Sequence, residues 1–89
     1  MHAVFSVVDI DAGRRDAAVQ MLNEQMLPGV KQAPGFVSGI WFGDGASGHG
    51  VVVFETEEQA WQAQQEVNTI VLEGVRVVRS DVYEVDAQA

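Results

Sequence analysis

The residues of this sequence that could take part in chemistry are few and widely spaced. Its imidazoles are His2 and His49, and it contains no cysteine. Because imidazoles exchange protons near neutral pH, His49 could accept a proton or bind a metal, but no second histidine or pair of carboxylates stands beside it at ligand spacing. The simpler interpretation is an exposed histidine on the rim of a hairpin. The sequence therefore predicts no metal site and no thiolate chemistry.

Two glutamines interrupt the apolar stripes of two predicted helices. At about 100° per residue, Gln25 falls close to a stripe centred on Ala18, and Gln64 falls within the stripe of the second helix. Amides between a helix layer and a sheet could orient a small polar or aromatic guest by hydrogen bonds. They could equally bond backbone groups in a closed core. Gln25 and Gln64 are therefore candidate ligand-binding residues with a structural alternative.

Three aromatic side chains complete the set of candidate site residues. Trp41 stands beside Gly39 in a predicted strand, where it could line a pocket, but packing between two copies of the chain is the simpler interpretation. Trp61 lies on the shoulder of the second helix, at an interface edge or a cavity mouth. Tyr83 shares its strand parity with Arg79 and Asp81, a group that could hold an acidic or enolic substrate or form an exposed ion pair.

Hydrophobic periodicity predicts the elements that position these residues. Strands are expected at 3–9, 36–43, 49–55 and 75–85, and helices at 13–27 and 56–68. Asp11 is a predicted N-cap, Pro28 should end or kink the first helix, and Thr56 with Gln59 forms a capping box. The order β-α-β-β-α-β predicts an α+β, ferredoxin-like split βαβ fold, an antiparallel sheet with both helices on one face. Residues 1–86 form this single domain, and 87–89 are a frayed tail.

Composition and charge narrow the classes of partner. The chain has 89 residues, with 5 Lys and Arg against 13 Asp and Glu and a formal charge of -8. The cations form no basic stripe, which disfavours nucleic acid and anionic membranes as partners. The N-terminal residues show no signal-peptide pattern, and no apolar run has the length of a membrane span. We therefore expect a cytoplasmic protein that needs no cofactor, no membrane and no nucleic acid.

The sheet face opposite the helices is predicted to be apolar as well. The segment "FVSGIWFG" at 36–43 is apolar on both parities, and strands one and three are similar. A bare apolar area of this size is unfavourable on a monomer. A second copy packed sheet against sheet would cover it, which predicts a homodimer with an intermolecular barrel.

The chain resembles the dimeric α+β barrel proteins of the antibiotic-biosynthesis monooxygenase-like superfamily over nearly its whole length. The similar marks are "MLPGVKQAPGF", with Pro34-Gly35-Phe36 leading into a strand, and Phe54 before the capped acidic helix "ETEEQA". The resemblance implies a dimeric α+β barrel, and its catalytic members include cofactor-free oxygenases and haem-degrading enzymes. Haem degradation is disfavoured, because strand one lacks the asparagine and helix two the histidine of those enzymes. No catalytic residue is carried over.

The segment "GHGVVVFETEEQA" also resembles the third strand and second helix of RNA-recognition domains. Their motif has a basic residue where Ser47 stands and stacking aromatic rings where His49 and Val51 stand, so that Phe54 alone matches. Three functions stay open: an oxygenase-like enzyme or a binder of a small aromatic or enolic molecule under the helices, a non-catalytic dimeric module, and, least favoured, an RNA-recognition-like domain.

Overall fold

A computed structural model describes residues 1–69 and 74–89 and confirms the ferredoxin-like α+β fold. The strands are β1 (His2–Ile10), β2 (Phe36–Gly43), β3 (Ser47–Phe54) and β4 (Val75–Glu84). The helical segments are α1 (Arg15–Met21), a π-helical turn (Leu22–Met26), α2 (Leu27–Lys31) and α3 (Glu57–Val67). All pairings are antiparallel, in the order β2-β3-β1-β4. The predicted connection between α3 and β4 lies largely at 70–73, outside the described residues.

Strand register assigns each side chain to one face of the sheet. The face beneath the helices carries the core residues Val4 and Phe54, and the opposite face, here called the outer face, carries their neighbours of the other parity. Outer-face positions are Ala3, Phe5, Val7 and Asp9 on β1, Ser38, Ile40 and Phe42 on β2, Ser47, His49, Val51 and Val53 on β3, and Arg76, Arg79, Asp81 and Tyr83 on β4.

A bulge in β2 breaks the strict alternation of its side chains between the two faces of the sheet. Strict alternation places Phe36 with Ser38, opposite Trp41, but the β2–β3 register shifts between Phe36 and Ser38. Phe36 therefore packs against the core cluster on the helix side, while Ser38 lies on the outer face. Alternation fails here because a bulge sets one extra residue against the partner strand.

The first helical segment begins later than predicted and is not uniform. Asp11 does not cap it: the Asp11 carbonyl accepts the Arg14 amide at 3.0 Å and Gly13 adopts φ +80°, so the chain reverses before α1 can begin. A π-helical turn then separates α1 from α2. Pro28 lies in the first turn of α2, directly after the π-helical turn, and the helical backbone continues beyond it to Lys31.

The start of α3 is as predicted. The Thr56 hydroxyl accepts the Gln59 amide, and the Gln59 side chain accepts the Thr56 amide, each at 3.2 Å, completing the capping box. The Gln59 side-chain amide also lies over Gly35, in the space that a Cβ there would occupy. Gly35 has φ +76° and leads the chain into β2. The cap of α3 and the turn before β2 therefore depend on each other.

Replacing Gly35 with alanine tests this coupling. Gly35→Ala is expected to lower the free energy of unfolding by about 1 to 3 kcal/mol, because the left-handed backbone disfavours a side chain and the new methyl would displace Gln59. Urea denaturation followed by circular dichroism measures the change.

Gly45→Ala is the matched control, since a Cβ at Gly45 meets nothing within 4 Å and its φ is not positive. Its stability should change by less than about 1 kcal/mol. Equal losses in the two variants would contradict a specific role for Gly35.

Candidate functional site

The helix-facing surface of β2 and β3 is made largely of glycine. Gly39, Gly43, Gly48 and Gly50 all point towards the helices, where register pairs Gly43 with Gly48. The Trp41 indole lies flat across two of these glycines, since a Cβ on Gly50 would stand 2.8 Å from its Cδ1 and one on Gly39 2.7 Å from its Cη2. Without side chains below, the first helical segment has little to pack against.

An apolar cavity of about 530 Å³ fills the space between the helices and the sheet. It is partly open, and it extends from the glycine-rich half of the sheet to α3. Its apolar lining includes Val4, Val8, Ile10, Ala18, Val19, Leu22, Met26, Val30, Trp41, Val52, Phe54, Ala63, Val67, Val75 and Val77. The described polar residues that border it are Ser6 on β1, Arg15, Asn23 and Glu66 on the helices, and His49 on β3, whose ring the strand register places on the outer face. Its volume and lining are those of a small-molecule pocket.

Arg15 ties α1 to the turn between β2 and β3. Its Nη1 donates to the carbonyl of Asp44 and, at 3.1 Å, to that of Ser47. The Asp44 carboxylate in turn accepts the Ser47 hydroxyl at 2.9 Å and the Ser47 amide at 3.3 Å. The hydrogen bond from the Ser47 hydroxyl, with backbone amides and the nearby Arg15 charge, lowers the pKa of Asp44. This network fixes one end of the cavity.

The structure does not bring Gln25 and Gln64 together in the cavity. Gln25 is exposed, whereas Asn23 lines the cavity and donates its Nδ2 to the Val19 carbonyl at 2.9 Å. Both residues lie within the π-helical turn, whose wider winding departs from the 3.6-residue period on which the predicted stripe depends. Gln64 is half-buried and donates at 3.1 Å to both the carbonyl and the hydroxyl of Ser80.

The two tryptophans lie in different environments. Trp41 is half-buried on the helix side and lines the cavity, which corrects its expected place between two sheets. The sequence alone did not decide which face of β2 carries Trp41, because both faces of this strand are apolar. Trp61 is 45% exposed on α3 and does not line the cavity.

An aromatic cluster lies on the outer face. The Phe42 and His49 rings stack with centroids 5.3 Å apart and an interplanar angle of 11°, and Phe5 lies 6.2 Å from His49 on the other side. His49 is thus half-buried between rings rather than free on a hairpin rim. Sequence reasoning missed Phe5 and Phe42 as its partners, because only the register of β1, β2 and β3 places the three side by side.

Charged groups on the outer face are paired at β4. Arg79 donates its Nε to Asp81 at 2.9 Å and its Nη2 to the Tyr83 hydroxyl at 3.0 Å, the grouping that strand parity indicates. Arg76 pairs with Asp9 across the strands at 2.6 Å. The hydrogen bond that Arg79 donates to the Asp81 carboxylate raises the pKa of Arg79, which stays charged. Both arginines of this face are thus occupied by carboxylates.

Residues 1–69 and 74–89 are the part of the chain that the structure describes. No group of three or more His, Asp and Glu side chains in this part of the chain is arranged to hold a metal ion. Within the same residues, no helix combines the length and apolarity needed to cross a membrane.

Comparison with known proteins supports the fold. No protein-family model matches the chain, and no curated protein matches it in sequence. Among solved structures, the chain is similar to the second RRM domain of yeast poly(U)-binding protein (Pub1), with a TM-score of 0.58 and 23% identity over 99% of this chain and 100% of that one. The superfamily resemblance drawn from Pro34-Gly35-Phe36 is thereby supported as far as the ferredoxin-like α+β fold.

The same match corrects one prediction. Nucleic acid was excluded as a partner from the charge of -8 and from the side chains at the stacking positions. That exclusion is contradicted, because a domain with this fold belongs to a poly(U)-binding protein. Net charge describes the whole surface, whereas recognition depends on one face, and the rings of Phe5, Phe42 and His49 were not visible as a group in the sequence.

The hydrogen bonds of Asp44 predict how the pKa of its carboxyl responds to a substitution at Ser47. Ser47→Ala removes the largest cause of the lowered Asp44 pKa, so the carboxyl should titrate at higher pH, closer to an ordinary aspartate. Carbon-detected NMR titration of the side-chain carboxyl measures the change.

The lowered pKa of Asp44 couples the protonation of this carboxyl to the stability of the fold. A lowered folded-state pKa stabilises the fold above the unfolded aspartate pKa, and this contribution is lost as pH falls through the folded value. Ser47→Ala should therefore flatten the acid limb of the stability profile. Ser38→Ala, on the neighbouring strand and without a bond to Asp44, is the control, and an unchanged Asp44 pKa in Ser47→Ala would refute the assignment.

Proposed function

We propose that this protein binds a small, largely apolar molecule in the cavity between its helices and its sheet. The single observation that carries the proposal is the cavity itself, about 530 Å³ beneath a helical segment that has no fully buried residue. Among the described residues, the buried apolar side chains are Val4, Val53, Phe54 and Ala60, none of which belongs to that segment. The volume suits a guest of drug size.

The energetics of an empty core support occupancy. Apolar side chains that face an unfilled space lose packing contacts, and this loss is unfavourable for the fold. Water entering through the open side gains little from an apolar wall. An apolar guest would recover the contacts that the glycines of β2 and β3 do not supply.

Binding, rather than turnover, is the function that the lining supports. Among the described polar lining residues, which are Ser6, Arg15, Asn23, His49 and Glu66, no hydrogen bond joins a nucleophile to a base. An oxygenase-like reaction without a cofactor would need the guest to supply its own reactive centre. Such a reaction is the catalytic form of this proposal, and a bound dihydroxyaromatic compound that is converted would support it.

Fluorescence energy transfer from Trp41 tests binding in the cavity. In a Trp61→Phe variant, Trp41 is the sole tryptophan, and it lines the cavity. Titration with the neutral probe N-phenyl-1-naphthylamine should quench Trp41 emission and sensitise the probe, with a dissociation constant in the micromolar range, about 8 kcal/mol of binding free energy.

A matched pair of α1 variants locates the site. Ala18 lines the cavity, whereas its neighbour Ala17 is exposed. Ala18→Phe should fill the space and weaken binding at least tenfold, and Ala17→Phe should leave it within about twofold. Equal effects of the two substitutions, or no transfer from Trp41 at all, would rule the cavity out as the site.

For the outer face we propose a second copy of the chain as the occupant. Ile40 is 60% exposed, Phe42 51% and Tyr83 50%, and together they edge an apolar surface. The arginines on this face are already held by Asp9 and Asp81, which leaves little positive charge for phosphates. These observations support apolar packing of one sheet on another.

Single-stranded RNA is the competing occupant. It is supported by the stacked rings of Phe5, His49 and Phe42, since base stacking on such rings needs no sequence-specific contact, and by the likeness to the yeast RRM domain.

Light scattering after size exclusion separates the two occupants. The proposal expects a mass of twice 9.6 kDa, reduced to one chain by Ile40→Glu on the outer face and unchanged by Val19→Glu on α1. The same samples are titrated into fluorescein-labelled oligouridine. A monomer that binds the oligomer, and loses binding in Phe5→Ala, would overturn the second copy in favour of RNA.

A further inference from the structure

We infer that the molecule held in the cavity carries one anionic group, a carboxylate or sulfonate on an apolar body, and that Arg15 binds it. This inference rests on the proposed function and adds the chemical class of the guest. Arg15 is the cationic side chain among the described residues that line the cavity. Its half-buried position sets it against apolar neighbours, where an ion pair is screened less than on an open surface.

The hydrogen bonds of Arg15 hold it in place while leaving it open to an anion. Both bonds use Nη1, and both acceptors are neutral backbone carbonyls, those of Asp44 and Ser47. Within the described residues no carboxylate oxygen lies within ion-pair distance of Arg15, in contrast to Arg76 and Arg79. The guanidinium is therefore positioned by the turn, and its charge is not consumed by a paired carboxylate.

Three donors of Arg15 remain for a guest. A guanidinium has five N–H groups, of which the carbonyl contacts use those of Nη1. The N–H groups of Nε and Nη2 form the planar edge that binds a carboxylate through two parallel bonds. Asp44 does not take this place in the structure: its Oδ1 accepts the Ser47 hydroxyl and amide, and Arg15 contacts the Asp44 carbonyl instead.

The remaining lining sets the orientation of the guest. Glu66 on α3 is the acidic residue among the described lining side chains, and it repels an anionic group from its own end. The apolar body therefore extends from Arg15 across Trp41 and the valines of the sheet. The chain as a whole carries a formal charge of -8, so an anion gains nothing from the overall field and depends on Arg15 locally.

Two probes with the same phenylnaphthylamine body test the inference. One is 1-anilinonaphthalene-8-sulfonate, which carries a sulfonate, and the other is neutral N-phenyl-1-naphthylamine. The unaltered chain should bind the sulfonate probe the more tightly despite its charge. Arg15→Gln should weaken sulfonate binding about tenfold or more and leave the neutral probe within twofold, and Arg15→Lys should retain part of the preference.

Lys31→Gln is the control of equal charge, since Lys31 is exposed on α2 and does not line the cavity. It should leave both affinities within twofold. Equal affinities of the unaltered chain for the two probes would overturn the anionic class and leave cavity binding intact.

Two other results would also overturn the role of Arg15. A parallel loss of both probes in Arg15→Gln would mean that the side chain only supports the turn, and an equal loss of the sulfonate probe in Lys31→Gln would mean a general charge effect. Binding of neither probe by the unaltered chain would overturn the proposed function together with this inference.

Discussion

The absence of side chains beneath the first helical segment is the constraint on which the rest of this structure depends. Four glycines of β2 and β3 face the helices, and Trp41 lies flat over two of them instead of standing upright into the space. A helix layer packs on a sheet through interlocking side chains, so this half of the interface cannot close. The cavity follows from this missing layer of side chains, and so does the partial exposure of the first helical segment. Arg15 lies at the edge of the cavity for the same reason.

The other half of the molecule compensates for this open interface. α3 is fixed at its start by a reciprocal cap, and Ala60 allows it to lie close to Val4 and Phe54, the most buried side chains of the sheet. The cap residue Gln59 also covers Gly35, so the same contact secures the beginning of β2. α3 therefore packs against β1, β3 and β4, and the cavity opens beside this packed half of the molecule.

Element order, strand positions and the cap of α3 could be predicted from the sequence because each depends on local patterns. Thr56 and Gln59 are three residues apart, and the strands read as short β-branched runs between glycine turns. The candidate site was harder to predict from the sequence. Gln25 lost its place on the apolar stripe to a π-helical turn, Phe36 changed face at a bulge, and His49 acquired Phe5 and Phe42 as neighbours across strands. None of these three events leaves a mark in local periodicity.

By itself, the sequence determined the ferredoxin-like order of strands and helices and the apolar character of both sheet faces, since hydrophobic periodicity and turn chemistry act over a few residues. The tertiary structure alone decided which parity of β2 faces the helices, that the glycines of two strands meet on one surface, and that Arg15 reaches the carbonyls of Asp44 and Ser47. Those outcomes depend on strand register and on contacts between residues about 30 positions apart in the chain. A bulge or a wider helical turn moves a side chain to another face of its element, and local periodicity does not show this.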